Sequence, residues 1–355
     1  MNSASVFNRE RVIEEWNSYI SNESFYMLGT RSEILQSWER CKLHGVDPFN
    51  YSLHDAISKS KFETALLKKE RLLRIAQPFM NNLYKFVRGT GFVVVMTDED
   101  GYILEMFADD DVWQNPMTKN FFLGSSWKEE IAGTNAIGTA LVIQEPIQVS
   151  GAEHYCEKHH CLTCSAAPIF DVTGSLMGVI NISGACTSSH LHTLGMVVAT
   201  ADAIMAQLRI DIKNHQLGMA NRKLNNFFNM VLDGVLIVNT DGYLTDMNPA
   251  AEDMFGIERK DMNDILVQNL VVPRHQSEDH SSFFMKSCSY RESIMQTKNS
   301  QSGCIISTAP YYNENNQLMG SFIIVKPVKQ VQKLVNQFGG YMASLQFDDI
   351  IGESY

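Results

Sequence analysis

The first part of the chain contains apolar residues at helical spacing among charged ones. In SEILQSWERC, Ile34, Trp38 and Cys41 fall on one face of a helix. A second, basic helix is predicted in FETALLKKERLLRIAQPFM, and Pro78 should end or kink it. We expect residues 1–80 to form a helical region that covers a neighbouring sheet or makes a dimer contact.

The pattern then changes to short apolar runs around turns, and it does so twice. GFVVVMTDEDGYILEMF (91–107) and PIFDVTGSLMGVINIS (168–183) each predict a β-hairpin. GVLIVNTDGYLTDMN (234–248) and APYYNENNQLMGSFIIV (309–325) repeat them at an offset of 141 or 142 residues. A constant offset predicts two modules of one architecture, each an antiparallel sheet flanked by helices, although two hairpins can also be similar by chance. The predicted fold class is α+β.

A long helix is predicted between the two modules. Its apolar residues alternate steps of four and three, which is heptad spacing. This line of residues either packs on its own domain or pairs with a second copy as a dimer stalk, and we expect the second. The residues are Leu194, Val198, Ala201, Met205, Leu208 and Ile212.

These patterns divide the chain into five parts. We expect an N-terminal helical region (1–80), a first α+β module (81–190), a connecting helix (191–229), a second α+β module (230–328), and a linker into a further domain (329–355).

Composition narrows the cellular setting. The formal net charge of −11 over 355 residues disfavours binding to the DNA backbone by these residues. Seven cysteines, an odd number in a long chain, argue against a secreted disulfide framework. The N-terminus lacks the layout of a signal peptide, and we expect no stretch apolar and long enough to span a membrane. A cytoplasmic protein without membrane association is predicted.

The segment HYCEKHHCLTCSAAP (154–168) concentrates metal-ligand and thiol chemistry. Five soft or borderline donors lie within nine residues, and zinc or iron is the metal that they would suit. A second knuckle of ligands is missing, so two other interpretations stay open: redox-active thiols in the C-x-x-C pair, and packing in the wall of a ligand pocket. The donors are Cys156, His159, His160, Cys161 and Cys164.

A candidate effector pocket is predicted between the first sheet and its covering helices. In EEIAGTNAIGTAL, Thr134 or Asn135 could cap a helix, and free N–H groups there could bind an anionic or polar ligand. The alternative is an ordinary capped helix. Trp127, His154 and Cys164 complete the candidate pocket.

The second module offers little chemistry. Asn248 is predicted to cap a helix that starts at Pro249. His275 and His280 are candidate haem ligands, but lone histidines are usually surface or core residues. Cys288 and Cys304 are expected to be packed. No G-x-S-x-G, H-E-x-x-H or G-x-G-x-x-G motif occurs, so an enzyme is not predicted.

Four stretches resemble a known family. They are SWERC (37–41), GTNAIGTAL (133–141), PIQVSGAEHYC (146–156) and TCSAAPIFD (163–171). They look like the sensor region of acetoin- and dihydroxyacetone-type activators of the sigma-54 RNA polymerase, and the resemblance covers most of residues 30–350. It implies that the first module is a GAF domain, that the second is a PAS domain, and that FDDIIGES (347–354) begins an AAA+ ATPase domain.

The resemblance implies the signal-sensing half of a transcription activator. A small effector, or a metabolic protein partner such as a kinase subunit, would bind the GAF domain and act on the ATPase domain. No P-loop and no helix-turn-helix is found in these residues, so RNA polymerase and DNA would be contacted only through other domains. The alternatives are a metal or redox sensor using residues 154–164, and a dimerisation scaffold without a sensing role.

Overall fold

The chain divides into two compact units, Met1–His215 and Gln216–Tyr355. The boundary expected at residue 80 lies inside the first unit, so the N-terminal helices and the first sheet form one body. A computed structural model describes residues 3–22, 29–49, 56–110, 120–188, 192–274, 283–297 and 300–339.

Helices surround the sheet of the first unit. Helix α3 continues past Pro78, so of the two expected effects of this proline the end of the helix does not occur, because residues on both sides of Pro78 are buried in the core. The described helices are α1 (Ser3–Ile20), α2 (Ser32–Leu43), α3 (Lys59–Val87), α4 (Glu129–Ala132), α5 (Ala136–Ile143) and α6 (His192–Met230), the last of which continues into the second unit.

The first sheet is antiparallel, with strand order β2-β1-β5-β4-β3. One face packs against α1, α2 and α5, and the other packs against α3 and α6. The strands are β1 (Val93–Asp98), β2 (Ile103–Phe107), β3 (Ile147–Ser150), β4 (Leu162–Phe170) and β5 (Leu176–Ala185).

Helix α6 does not present the predicted line of apolar residues to a second copy. Ala201 and Leu208, two members of that line, are buried with Val197 and Ile204 in the core that α6 shares with α3. The helix also contains an 18-residue window of mean hydropathy 1.3, of which 22 % is buried. By length and composition alone this is enough to cross a membrane, contrary to the expectation of no such stretch, but one such helix is weak evidence for a membrane span.

The second unit has its own antiparallel sheet, with strand order β7-β6-β11-β10-β9-β8. Its core is formed by apolar side chains of the sheet and of α7. The elements are β6 (Gly234–Asn239), β7 (Leu244–Met247), α7 (Pro249–Phe255), β8 (Val271–Pro273), β9 (Cys288–Gln296), β10 (Gln301–Tyr312), β11 (Leu318–Pro327) and α8 (Val328–Gly339).

The structure confirms the predicted repeat and explains one of its motifs. In each unit, the first strand of the opening hairpin pairs with the last strand of the closing hairpin: β1 with β5, and β6 with β11. At Gly178 a Cβ atom would lie 2.0 Å from the Thr97 carbonyl oxygen, and at Gly320 it would lie 1.9 Å from that of Val238. The Leu-Met-Gly sequence therefore recurs because only glycine allows these two strands to approach.

Candidate functional site

The face of the first sheet that meets α1, α2 and α5 carries a row of polar side chains. Asn181 and Ser183 lie two residues apart on β5 and share this face, and Cys164 of β4 lies opposite Ser183. Asn181 Nδ2 donates to Ser183 Oγ at 2.9 Å, and Ser183 Oγ donates to Cys164 Sγ at 3.0 Å. All three residues are at most 2 % exposed, so the row is sealed from solvent.

Two buried oxygen atoms on this face have no hydrogen-bond partner among the described residues. They are Asn181 Oδ1 and Thr97 Oγ1. Thr97 pairs with Val179 of the neighbouring strand, which makes it a diagonal neighbour of Asn181. A buried polar group left unpaired costs about 1–3 kcal/mol. Thr97, Cys164, Asn181 and Ser183, called the polar floor below, therefore keep hydrogen-bonding capacity that a bound molecule can use.

Trp127 lies over the same core as the polar floor, just before α4. Its ring stacks on Phe121 with centroids 4.1 Å apart, and its buried Nε1 has no hydrogen-bond partner in the described part of the chain. Asn135 fixes this segment: its side chain donates to the carbonyl oxygens of Trp127 and Gly133 at 2.9 and 2.8 Å, and accepts from Gly138 N at 2.9 Å. Asn135 is thus the cap of α5 and positions Trp127.

The His154 ring lies 6.0 Å from that of His159, which in turn lies 5.5 Å from the Trp127 ring, and Phe121, Trp127 and His154 are called the roof below. His154 Nδ1 lies 3.0 Å from the Gly151 carbonyl oxygen, which can only accept, so Nδ1 carries the proton and Nε2 is an acceptor. Nε2 is buried without a partner among the described residues. Burial, with the nearby His159, lowers the pKa of His154 to about 3, and burial lowers that of His159 to about 4. Both rings are therefore neutral at pH 7.

Thr134, which is predicted together with Asn135 as a possible cap or effector-binding residue, contacts helix α2. Thr134 Oγ1 lies 2.7 Å from Ser37 Oγ and 3.4 Å from Cys41 Sγ. Ser37 donates its one hydroxyl hydrogen to the buried Glu129 of α4 at 2.6 Å, and the Arg40 guanidinium donates to both carboxylate oxygens of Glu129, at 2.6 and 2.9 Å. The SWERC stretch is therefore the clamp between α2 and the segment that carries Trp127.

Two indoles from the N-terminal helices hold the segment that carries His154. Trp38 of α2 donates from Nε1 to the Glu153 carbonyl oxygen at 2.9 Å. Trp16 of α1 donates from Nε1 to the Tyr155 carbonyl oxygen at 3.0 Å. Because these bonds flank His154 on both sides, α1 and α2 are part of the site's architecture.

The structure does not gather the predicted metal ligands around one point. Among the described residues, no group of three or more His, Cys, Asp or Glu side chains is placed to hold a metal ion. Cys164 lies in the polar floor, Cys156 donates to the Ala132 carbonyl oxygen at 3.5 Å, and Cys161 donates to that of Lys158 at 3.4 Å. Burial raises the pKa of Cys156 and Cys164 to about 12, so both are neutral thiols at pH 7 when no cation is bound. The residues predicted as ligands were Cys156, His159, His160, Cys161 and Cys164.

The second unit uses its predicted residues structurally. Asn248 Oδ1 accepts from Ala251 N and from Val235 N, both at 2.9 Å, which confirms the helix cap. His275 and His280, considered as haem ligands, lie outside the described residues.

Sequence reasoning missed three members of the polar floor, Thr97, Asn181 and Ser183. A signal was present, because all three are polar residues at inward positions of otherwise apolar strands, in VVVMTD and GVINIS. The inward direction becomes certain only when the register of the sheet is known.

Each of the two units contains a match to a known family. The family described as the N-terminal domain of MimR matches residues 14–207, more than half of the chain, and a PAS domain family matches residues 232–326. The first match includes the C-terminal part of α1 and all of α2 and α3, in agreement with their packing on the first sheet.

Relatives of known description are transcriptional regulators. A signal-transduction and transcriptional-control protein of Clostridium beijerinckii is 29 % identical over 326 residues, covering 92 % of this chain and 51 % of that protein. The acetoin dehydrogenase operon transcriptional activator AcoR of Bacillus subtilis is 31 % identical over 210 residues, covering 59 % of this chain and 35 % of that protein. The chain thus spans about half of the first relative and about a third of the second.

A solved structure shares the fold. The crystal structure of the E. coli DhaR(N)–DhaL complex contains a chain that superimposes with a TM-score of 0.73 at 18 % identity, covering 84 % of this chain and 100 % of that chain.

Proposed function

The chain belongs to the family of MimR N-terminal domains, and we propose that it is the signal-sensing half of a sigma-54-dependent transcription activator. In this proposal the first unit is a GAF domain that binds a small effector between the polar floor and the roof. The supporting observation is a set of buried polar atoms without partners among the described residues: Thr97 Oγ1, Asn181 Oδ1, Trp127 Nε1 and His154 Nε2.

The chemistry of these atoms favours a neutral effector. Trp127 Nε1 only donates, His154 Nε2 and Asn181 Oδ1 accept, and the Thr97 hydroxyl does either. The floor and the roof contain no charged side chain, and burying an unpaired ion in such surroundings is strongly unfavourable. The site therefore suits a small molecule that has both a hydroxyl hydrogen and an acceptor oxygen. Acetoin, whose dehydrogenase operon one relative controls, has a hydroxyl group beside a carbonyl group.

Ligand-dependent stabilisation tests this proposal. Thermal unfolding and titration calorimetry of the whole chain would use acetoin and glycerol as neutral probes, and lactate as a charged one. A ligand that binds only the native state stabilises it by about 2.7 kcal/mol at a hundred times its dissociation constant. We expect a neutral probe to bind and lactate not to bind. Equal binding of lactate would contradict the argument from charge.

A pair of tryptophan substitutions locates the site. Trp127→Phe keeps the stacked ring but removes an N–H group that has no partner among the described residues, so it should weaken effector binding with little change in the stability of the free protein. Trp16→Phe is the matched comparison: it leaves the buried Tyr155 carbonyl oxygen unpaired, so it should lower stability by about 1–2 kcal/mol, and it should weaken binding less than Trp127→Phe because Trp16 belongs to neither the polar floor nor the roof. The reverse pattern would place the effector elsewhere.

A metal- or redox-sensing role of residues 154–164 is the competing proposal. Elemental analysis of protein purified without air, beside a Cys161→Ser/Cys164→Ser variant, separates the two. About one zinc or iron per chain that disappears in the variant would replace the small-molecule proposal. Metal-free protein with unchanged folding would leave it standing.

Binding of a partner protein is a second candidate for the signal that the first unit receives, because the structure that shares its fold is DhaR(N) in a complex with DhaL. A subunit of a metabolic kinase would then bind the first unit. Size-exclusion chromatography of the chain with and without such a subunit tests this. A stable complex that forms equally well with the Trp127→Phe variant would indicate a surface input that is independent of the roof.

We propose that the signal passes through α6 and α8 to an AAA+ ATPase domain and then to the sigma-54 RNA polymerase. This would take place in the cytoplasm and without catalysis by these two units.

We also propose a homodimer that uses exposed residues of α6. Ile210, Leu217 and Leu224 are 50, 61 and 66 % exposed and lie seven residues apart. Light scattering of a Leu217→Lys/Leu224→Lys variant should report monomers. A variant that stays dimeric would rule out this interface.

A further inference from the structure

The β4–β5 ladder places two cysteines opposite each other at its open end. Leu162 pairs with Ala185 in this antiparallel ladder, so the next position outward sets Cys161 against Cys186. The ladder continues there, because Cys186 N donates to the Cys161 carbonyl oxygen at 2.7 Å. Cα atoms of a hydrogen-bonded antiparallel pair are about 5.5 Å apart, within the range of about 4.4–6.8 Å that a disulfide spans.

Both thiol groups are partly exposed to solvent and make only weak hydrogen bonds with the described residues. Cys161 and Cys186 are partly exposed, whereas Cys156 and Cys164 are buried. The described contacts of the two thiols are weak: Cys161 Sγ lies 3.4 Å from the Lys158 carbonyl oxygen, and Cys186 Sγ lies 3.8 Å from a serine hydroxyl at the end of β3. An oxidant can therefore reach this pair without unfolding the sheet.

The C-x-x-C pair found in the sequence is not the accessible one. Cys164 is 2 % exposed and accepts a hydrogen bond from Ser183, so its sulfur belongs to the polar floor. Register, rather than sequence spacing, decides which cysteine lies opposite Cys161, and it selects Cys186.

We propose that Cys161 and Cys186 form a reversible disulfide and that the first unit is thereby sensitive to oxidised glutathione or a similar small-molecule disulfide. The Cys186 thiolate attacks one glutathione sulfur, forms a mixed disulfide and expels the other glutathione as a thiolate. The Cys161 thiolate then attacks Cys186 Sγ and releases the second glutathione. The two cysteines lose two protons and two electrons, and oxidised glutathione gains both electrons.

The position of the pair gives the disulfide a consequence. Cys186 ends the ladder and begins the short 3₁₀ helix Cys186–Ser188, a few residues before α6 starts at His192. Its carbonyl oxygen accepts a hydrogen bond from Arg9 of α1 at 3.0 Å. A disulfide between Cys186 and Cys161 would link the end of β5 to the start of β4, a few residues before α6 begins.

The test is disulfide mapping of the whole chain in glutathione buffers of increasing oxidised fraction. Cleavage before Asp171, the one aspartate between the two cysteines, separates Cys161 and Cys164 from Cys186. A Cys161–Cys186 disulfide keeps the two peptides joined until reduction, whereas a Cys161–Cys164 disulfide does not. We expect joined peptides and the loss of two alkylatable thiols.

Serine variants assign the bond. Cys161→Ser should stop at a glutathione adduct on Cys186, and Cys164→Ser, the matched control, should still form the joined peptides. Tryptophan fluorescence checks that each variant is folded. A wild-type protein that stops at the glutathione adduct, forms Cys161–Cys164, or keeps all its thiols in fully oxidised glutathione would overturn the proposal. So would joined peptides that persist in Cys161→Ser.

Discussion

Acid should destabilise the first unit through the two buried imidazoles of the site. The pKa of His154 is about 3 and that of His159 about 4 in the folded chain, against 6.5 for a free histidine. Because both folded values lie below 6.5, the unfolded chain binds more protons between pH 4 and pH 6.5. The free energy of unfolding therefore falls as the pH is lowered through this window.

The expected size of the effect follows from the pKa difference. Each pH unit below 6.5 removes about 1.4 kcal/mol for each imidazole that stays neutral in the folded state. At pH 5.0 this amounts to about 2 kcal/mol for His154 and about the same for His159. A total near 4 kcal/mol is a large share of the 5–15 kcal/mol that stabilises a typical domain.

Urea unfolding followed by tryptophan fluorescence measures this effect in the right unit, because all four tryptophans lie within residues 1–215. His154→Gln removes one titrating group and keeps a donor for the Gly151 carbonyl oxygen. It should recover about 2 kcal/mol of the loss between pH 7 and pH 5. His215→Gln, at an exposed position of α6, is the control substitution. Burial raises the pKa of Glu153, which opposes the loss but acts equally in all variants. An unchanged pH dependence in His154→Gln would refute the reasoning.

Two further predictions concern the framework of the first unit. Gly178→Ala should lower the thermal unfolding temperature strongly or prevent folding, because its Cβ would lie 2.0 Å from the Thr97 carbonyl oxygen; Gly195→Ala in α6 meets no atom within 4 Å and should stabilise by up to about 1 kcal/mol. Ile204→Ala should cost about 3 kcal/mol in urea unfolding because Ile204 is fully buried, whereas Leu67→Ala, at an exposed position of α3, should change stability little. Equal effects within either pair would contradict the assigned packing.

Much of the fold was predictable because local patterns decide it. The turns of the repeat, each built around a glycine or an amide or carboxylate side chain, fixed the hairpins, and the structure confirms them. The partner of α6 was not predictable, since its apolar residues fit either a second copy or α3 equally well. The effect of Pro78 was not predictable for a similar reason: packing on both sides of it outweighs its local tendency to end a helix.

The site was predictable only in part. Trp127 and His154 lie in the predicted region, and the cap at Asn135 was foreseen as an alternative to a ligand role. The cluster of donors in residues 154–164 left a metal site, redox-active thiols and packing open, and among the described residues no three of its side chains are grouped to hold a metal ion. Asn181 and the opposition of Cys161 to Cys186 depend on strand register, which pairs residues far apart in the sequence.

The most direct test of the account is the indole N–H spectrum of the whole chain, labelled with ¹⁵N and titrated with a neutral hydroxyl-bearing effector. The Trp127 signal is identified by its loss in Trp127→Phe. It should shift in a saturable way, with the dissociation constant found by calorimetry, while the Trp16 and Trp38 signals stay in place because their N–H groups are bonded to backbone carbonyls. An effector that binds by calorimetry and leaves the Trp127 signal unmoved would contradict a site between the polar floor and the roof.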